Sequence, residues 1–478
     1  MTSTPVTRTG RETGKVARTP QSKRWTALAL LAVAQLMLVL DVTVVNVALP
    51  DIGASLHLTR AEVPWAMTAY TVVFGGLMLL GGRIADRYGP RRLTLIGLVV
   101  FTGASLLSGL ATGPAALLAG RALQGAGAAL LSPAALAAVM TMFTGRDRVK
   151  ALGVWSGLAG LGSALGVILG GVLTTEASWR WIFAINVPIG AALLVALPLI
   201  VPARRSETGA SNLDIPGGIL VTAGTGAAIY GLINAGTNGW AAPSTLSAFA
   251  AAVVAWAAFA WVERRTANPL LKVGLLRRRP VAAGGFLMLI ATGLLVGTFF
   301  LGSFSLQHAD GYSALRVGLA FIPVAVATVA GAHTASQVLA RVPARAVAVA
   351  GLVLAGVGYG TVALWPWPAQ AVIGMSVASL GIGACFVTAF TASLADAPAA
   401  EGGLRSALVN TFHELGGAAG VAVLSTIAGA ALVAARPAAD AFRGGFTAGA
   451  VCALAAAIVA AFLVPSVLRG ADDERPAH

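Results

Sequence analysis

The chain has 478 residues, of which 57% are hydrophobic and only 10% charged, with a mean hydropathy of +0.83. A soluble domain carries about a quarter charged residues, so a water-soluble globule is excluded. Apolar runs of roughly 18–25 residues fit membrane-crossing helices, whereas barrel strands alternate over about 10. The net charge of +14 comes from basic residues that flank those runs, so it reads as a topology signal and not as a nucleic-acid footprint.

Residues 1–24 are polar and basic with no core pattern, and read as a disordered tail. The first span, 25–49, is too long for a cleaved signal peptide and carries a carboxylate in "LVLDVTVVNVALP". That residue, Asp41, and the amide of Asn46 are polar groups in a segment that otherwise prefers oil. Spans two and three, 63–81 and 93–110, are joined by "GRIADRYGPRR". In it, Gly82 and Gly89 allow close approach, and Asp86 can accept from Arg87, Arg91 or a helix N-terminus. Such a cluster can latch two parts of a protein in one state and release them in another.

Span four, 115–143, holds "GRALQGAGAA". Its Arg121 lies well inside a membrane helix, where an unpaired charge costs at least about 2.5 kcal/mol, so a functional role is the default. Span five, 151–173, carries Gly153, Gly157, Gly162, Gly166, Gly170 and Gly171, mostly on one stripe. Small residues on a stripe let helices meet backbone to backbone. Span six covers 182–201, and spans seven and eight cover 215–233 and 246–262. The last six are 281–306, 317–339, 346–364, 369–394, 404–434 and 446–468. Span thirteen contains "NTFHELGGAAG", which sets Asn410, His413 and Glu414 near mid-membrane. His333 and the two cysteines, Cys385 and Cys452, read as packing residues.

Fourteen spans with both ends in the cytoplasm put 26 of the 32 basic residues on the inner side and five on the outer. A missed or invented helix would scramble that asymmetry. A faint repeat offset by 254 residues pairs Gly97 with Gly351, Gly162 with Gly416 and Gly166 with Gly420. Two six-helix halves, 25–201 and 281–468, separated by an inserted segment, 202–280, would produce it. Residues 469–478 form a second cytoplasmic tail.

With these motifs in order, the chain resembles a major facilitator superfamily transporter of the fourteen-helix drug:proton antiporter branch. The resemblance runs over 25–468, and "WAMTAY" (65–70) and "WRWIFAINVPIG" (179–190) fit the same branch. It implies an all-helical membrane fold of two six-helix bundles plus two inserted helices, and no enzyme activity. It also implies efflux of small amphipathic compounds such as antibiotics or secondary metabolites, driven by the proton motive force without a cofactor. Arg121 acquires a role in proton coupling. Gly82, Asp86, Arg87, Gly89 and Arg91 become a conformational latch, and the span-five glycines become a packing face. Two departures stand out. Val167 replaces a proline of the antiporter motif, and Glu414 replaces a common glutamine.

Asp41 lies about 12 Å, and Arg121 about 10 Å, from the outer ends of their helices, at 1.5 Å per residue. They are expected to couple, directly, through water or through Gln124. A dry site raises a carboxylate's proton affinity and a guanidinium lowers it, so Asp41 is expected to load a proton outside and release it inside, with Glu414 as a second candidate. Asn46, Tyr70, Gln124, Asn410, His413 and Glu414 are the candidate cavity residues. Proton-coupled uptake, and a non-transporting sensor or scaffold, are the alternatives. The latter would call for a soluble domain, and the longest polar segments are the tail and 203–214. No metal-ligating set and no phosphate-binding loop appears. A monomer in the cytoplasmic membrane, meeting substrate, protons and lipid, is expected.

Overall fold

The computed structural model describes residues 21–143, 145–201, 213–266, 269–365, 367–397, 401–434 and 440–466. Among them there is no strand. The helices are α1 (Gln21–Ser55), α2 (Glu62–Tyr88), α3 (Pro90–Gly109), α4 (Pro114–Met142), α5 (Gly145–Glu176), α6 (Trp181–Ala184) and α7 (Asn186–Ile200). Next come α8 (Ile215–Asn238), α9 (Pro243–Arg265) and the short α10 (Val273–Leu276). Then follow α11 (Arg279–Phe304), α12 (Ala314–Ala320), α13 (Ile322–Val338), α14 (Ala344–Leu364), α15 (Pro368–Leu394), α16 (Gly402–Ala428) and α17 (Arg443–Leu463). A π turn, Ser305–Ala309, closes α11.

Among the described residues, thirteen helices are long and apolar enough to cross a membrane. The fifth expected span lies on α5, a 32-residue helix whose stretch Leu165–Glu176 is apolar. The protein is therefore a multi-pass, all-helical membrane protein. Starts follow the sequence closely because proline opens α3, α4, α9 and α15, where a missing N–H costs nothing. Asp214 caps α8, its Oδ1 accepting from the Gly217 N–H at 2.8 Å.

Two boundaries differ from the sequence reading. Helix α1 starts at Gln21, so the tail's last residues are helical, while residues 1–20 lie outside the described residues. It also runs through Pro50 to Ser55, not stopping at Leu49. Proline removes one backbone donor, but Ile52 and Leu56 behind it are buried in the core, and that packing holds the extra turn.

Helices α1 to α7 pack among themselves, as do α11 to α17. Between these groups α2 lies on α16, α5 lies on α12 and α13, and α1 also meets α11 and α12. The internal repeat is visible in the packing. A Cβ on Gly127 would lie 2.6 Å from the Phe101 N and 2.9 Å from the Gly97 O; one on Gly381 would lie 2.1 Å from the Gly351 O. The α3–α4 crossing thus recurs as α14–α15 at the offset read from the sequence.

The inserted α8 rests on both α2 and α16, and α9 rests on α8. In the most apolar stretch of each helix, 83% of residues are buried in α2 but only 17% in α9, which makes α2 central and α9 lipid-facing. At one end, Gly218 meets Leu80 and Gly76 meets Thr222; at the other, Gly236 meets Thr426, whose hydroxyl donates to the Leu232 carbonyl at 2.7 Å.

Candidate functional site: a central cavity backed by a buried ion pair

A cavity of about 2310 Å³ lies between the two groups of helices. It opens at the end where Arg83, Asp86, Arg148, Lys272, Arg278 and Glu401 stand. At the opposite end the halves touch. The Gln307 amide donates to the Val47 carbonyl at 2.8 Å, and the Leu315 N–H donates to Thr175 Oγ1 at 3.0 Å. A Cβ on Gly171 would lie 2.8 Å from the Ala314 carbonyl, and one on Gly318 only 2.3 Å from that of Val167. The cavity is therefore open on the arginine-rich side and sealed on the other.

Asp41 on α1 and Arg121 on α4 form an ion pair, with Arg121 Nη1 donating to Asp41 Oδ2. Gln124, one turn after Arg121, closes the group. Its Nε2 donates to Asp41 Oδ1 at 2.8 Å, and its Oε1 accepts from Arg121 Nη1 at 2.9 Å. The link expected at equal depth is thus made both directly and through Gln124. Arg121 Nε also donates to the Ala66 carbonyl of α2 at 2.9 Å, and its guanidinium lies 4.7 Å from the Tyr70 ring and 5.8 Å from that of Phe183. Both oxygens of Asp41 and the Nε and Nη1 of Arg121 are thus hydrogen-bonded, and such partners are the condition under which a buried pair is tolerated.

The cluster reaches further than the sequence indicated. Gln124 Nε2 donates to Ser105 Oγ of α3 at 2.9 Å, and Asn186 Nδ2 of α7 donates to the same oxygen at 3.5 Å. Neutral polar residues on apolar helices carry no signature that separates a network member from generic packing.

Asp41, Arg121 and Gln124 are 2%, 1% and 0% exposed, and none of them lines the cavity. Tyr70, also 0% exposed, does not line it either. Two expected cavity residues, Tyr70 and Gln124, therefore belong behind its wall. Asn46, Asn410, His413 and Glu414 do line it. So does Gln35, one polar residue in the apolar run of α1 that the sequence reading passed over. His413 Nδ1 shares a 2.9 Å hydrogen bond with Thr292 Oγ1, and its ring lies 5.6 Å from Phe386. Glu414 has no ion-pair partner among the described residues. Phe74, Trp155, Phe299 and Phe390 supply aromatic wall.

At the mouth, Gly82 and Asp86 line the opening, and Gly89 turns the chain from α2 into α3 at φ 91, a conformation that favours glycine. Arg91 donates to the Pro198 carbonyl of α7 at 2.7 Å, within its own half, and Arg87 lies 5.4 Å over the Tyr88 ring. Arg83 donates to the Pro269 carbonyl, beyond the inserted pair, at 3.0 Å. Across the mouth, buried Arg405 donates to Asp396 at 2.5 Å and Glu401 at 3.0 Å, and Arg278 reaches Glu401 at 3.1 Å. The two carboxylates lie four and nine residues upstream of Arg405.

On α5, a Cβ at Gly162, Gly166 or Gly170 would lie 2.5 Å from Val39, 1.7 Å from Thr43 or 3.0 Å from the Val44 carbonyl, so these three form the face against α1. Gly171 instead faces α12 across the seam. Gly153 and Gly157 also lie on α5, but the surroundings they pack against are not described. His333 and Cys452 are exposed, not packed, and the His333 ring shares a 2.9 Å hydrogen bond with Gln337 on its own helix. Cys385 is fully buried.

The sequence profile of the Major Facilitator Superfamily matches residues 31–421. The puromycin resistance protein of Streptomyces alboniger is 38% identical over 429 residues, covering 87% of this chain and 84% of that protein. The cephamycin export protein of Amycolatopsis lactamdurans is 38% identical over 434 residues, covering 87% of each. Among solved structures, a POT peptide transporter superposes with a TM-score of 0.67 at 16% identity, covering 91% of this chain and 94% of that one, a likeness of fold alone.

Proposed function

We propose, from the premise that this chain belongs to the Major Facilitator Superfamily, that it exports small amphipathic organic compounds in exchange for protons. It is a transporter and not an enzyme, acting on small molecules, and a transporter of this kind needs no cofactor because an ion gradient supplies the energy. The observation that carries the reading is the central cavity, open at one end only and backed by a sealed ion pair. Relatives named for antibiotic resistance and export support the outward direction.

The cavity's basic mouth faces the cytoplasm in this reading, which makes the structure inward-open, with both chain ends inside the cell membrane. A monomer holds the whole site. Substrate enters past Arg83 and Arg278, and its apolar body meets Phe74, Phe299 and Phe390. Glu414 is the unpaired deep charge and recognises a cationic group, with Gln35, Asn46 and Asn410 as hydrogen-bonding partners. Rocking of the halves breaks the Gln307–Val47 and Leu315–Thr175 contacts and closes the mouth. Protonation of Asp41 from outside weakens its hold on Arg121, and release inside restores the pair seen here. A potential of 100 mV adds about 2.3 kcal/mol per charge moved.

The latch motif acts within its own half in this state, through Arg91 and Gly89, and Asp86 meets the other half when the mouth shuts. Proteoliposomes loaded with puromycin or lincomycin test the reading. An imposed pH gradient is expected to drive either compound uphill, and D41N is expected to abolish that movement. Uphill transport that survives D41N would remove Asp41 as the carrier, and accumulation in the opposite direction would make the protein an uptake symporter.

A further inference from the structure

Tyr70 is a large residue of α2 with no place in the account so far. It is fully buried, and its hydroxyl has no hydrogen-bond partner among the described residues. A buried hydroxyl left unpaired costs about 1–3 kcal/mol, so its retention calls for a reason. Its ring is fixed from two sides. The Arg121 guanidinium stacks on it at 4.7 Å, and Phe74, a cavity-wall residue, meets it edge-on at 5.6 Å. Gly125 of α4 permits this, since a Cβ there would lie 2.4 Å from the Tyr70 carbonyl.

The Asp41–Arg121 pair lies against its ring in its own half, and Glu414 comes against α2 from the other half. Helices α2 and α16 touch at Glu414: a Cβ on Gly75, five residues after Tyr70, would lie 2.8 Å from the Glu414 Cβ. His413 is the neighbouring ionisable group on α16, and it is held by Thr292. Helix α8 brings no charged residue, and the arginines of α3, Arg91 and Arg92, stand at its far end. Tyr70 is therefore an unbonded polar group on the helix that meets both the sealed ion pair and the carboxylate exposed in the cavity.

We propose that Tyr70 is a positioning residue that couples Glu414 to the Asp41–Arg121 pair, its hydroxyl donating to one carboxylate or the other as the halves rock. In the inward-open state it hydrogen-bonds to neither. When α16 moves against α2 the hydroxyl bridges the two. A proton arriving on Glu414 passes to the phenol oxygen as the phenol's own proton moves to Asp41. The tyrosine is unchanged, one proton leaves Glu414 and one reaches Asp41. This deepens the proton-coupled reading above and rests on it: cargo occupying Glu414 is felt at a charge pair it never touches.

The test reads the carboxylates directly, without needing a known substrate. Purified full-length protein in lipid nanodiscs is titrated while the carboxylic acid C=O band of Glu414, identified by its loss in E414Q, is followed by infrared spectroscopy. D41N is expected to move the Glu414 midpoint by about one pH unit, as for strongly interacting sites, and in the Y70F background that movement is expected to vanish. An equal movement in both backgrounds, or none in either, overturns the proposal. Should Y70F fail to fold, the tyrosine C–O band of the otherwise unaltered protein serves instead. It is expected to shift as Glu414 titrates and to stay fixed in E414Q; a band that ignores Glu414 overturns the proposal equally. The wild-type pH-gradient experiment above stands apart: its failure removes proton-driven export while leaving the measured linkage between the carboxylates intact.

Discussion

Asp41 and Arg121 neutralise each other where neither could stand alone, and the surrounding amides and hydroxyls finish what the pair leaves open. Removing one partner of a buried pair costs about 3–5 kcal/mol, because the other is left charged and dry. R121A is therefore expected to lower the thermal unfolding temperature in detergent sharply, and D41A added to it is expected to restore part of the loss. Glu414 is the opposite case, a carboxylate that faces the cavity without a cation. E414Q is expected to fold as well as the wild type but to weaken transport of amine-bearing compounds far more than that of neutral ones, read as a changed resistance profile in a susceptible host. The pairing was legible in the sequence because a fixed rise per residue converts position into depth. The side of the wall on which Tyr70 and Gln124 fall was not, because helix rotation is set by neighbours that a single sequence does not orient.

Helix crossings here are set by glycines against backbone. A side chain at Gly420 would begin 2.2 Å from the Gly293 carbonyl of α11, whereas one at Gly103 on α3 would meet nothing within 4 Å. G420L is expected to destabilise by about 1–3 kcal/mol or more, as overpacking does, while G103A is expected to be neutral or slightly stabilising. Thermal unfolding of the two side by side decides it. The glycine stripe of α5 was readable from spacing alone, and Gly162, Gly166 and Gly170 fall on α1 as a stripe should. That Gly171 turns to α12 was not readable, since one further residue rotates the direction by about 100°. The end of α1 was misread for a related reason. Pro50 is a local stop signal, and burial of the turn after it overrides that signal.

The whole molecule is a symmetric scaffold carrying asymmetric chemistry. At the repeat offset of 254 residues, Leu295, Met375 and Ala378 stand where Asp41, Arg121 and Gln124 stand in the first half. The shared glycine crossings survive in both halves, so architecture was recoverable from the repeat, while the charges had to be found one by one. The seams divide the same way, closed at one end and parted at the other. A cysteine pair at Thr175 and Leu315, added after Cys452→Ser, is expected to trap the present state on oxidation and stop transport, with reduction restoring it; unimpeded transport by the cross-linked protein would mean that this seam does not open.

The inserted α8–α9 pair bears on the same geometry from the side. Because α8 spans the α2–α16 seam from Leu80 at one end to Thr426 at the other, that flank is shuttered against the bilayer. Greasy molecules dissolved among the acyl chains cannot slip through it, so any that arrive by way of the lipid have only the opposite flank as a doorway.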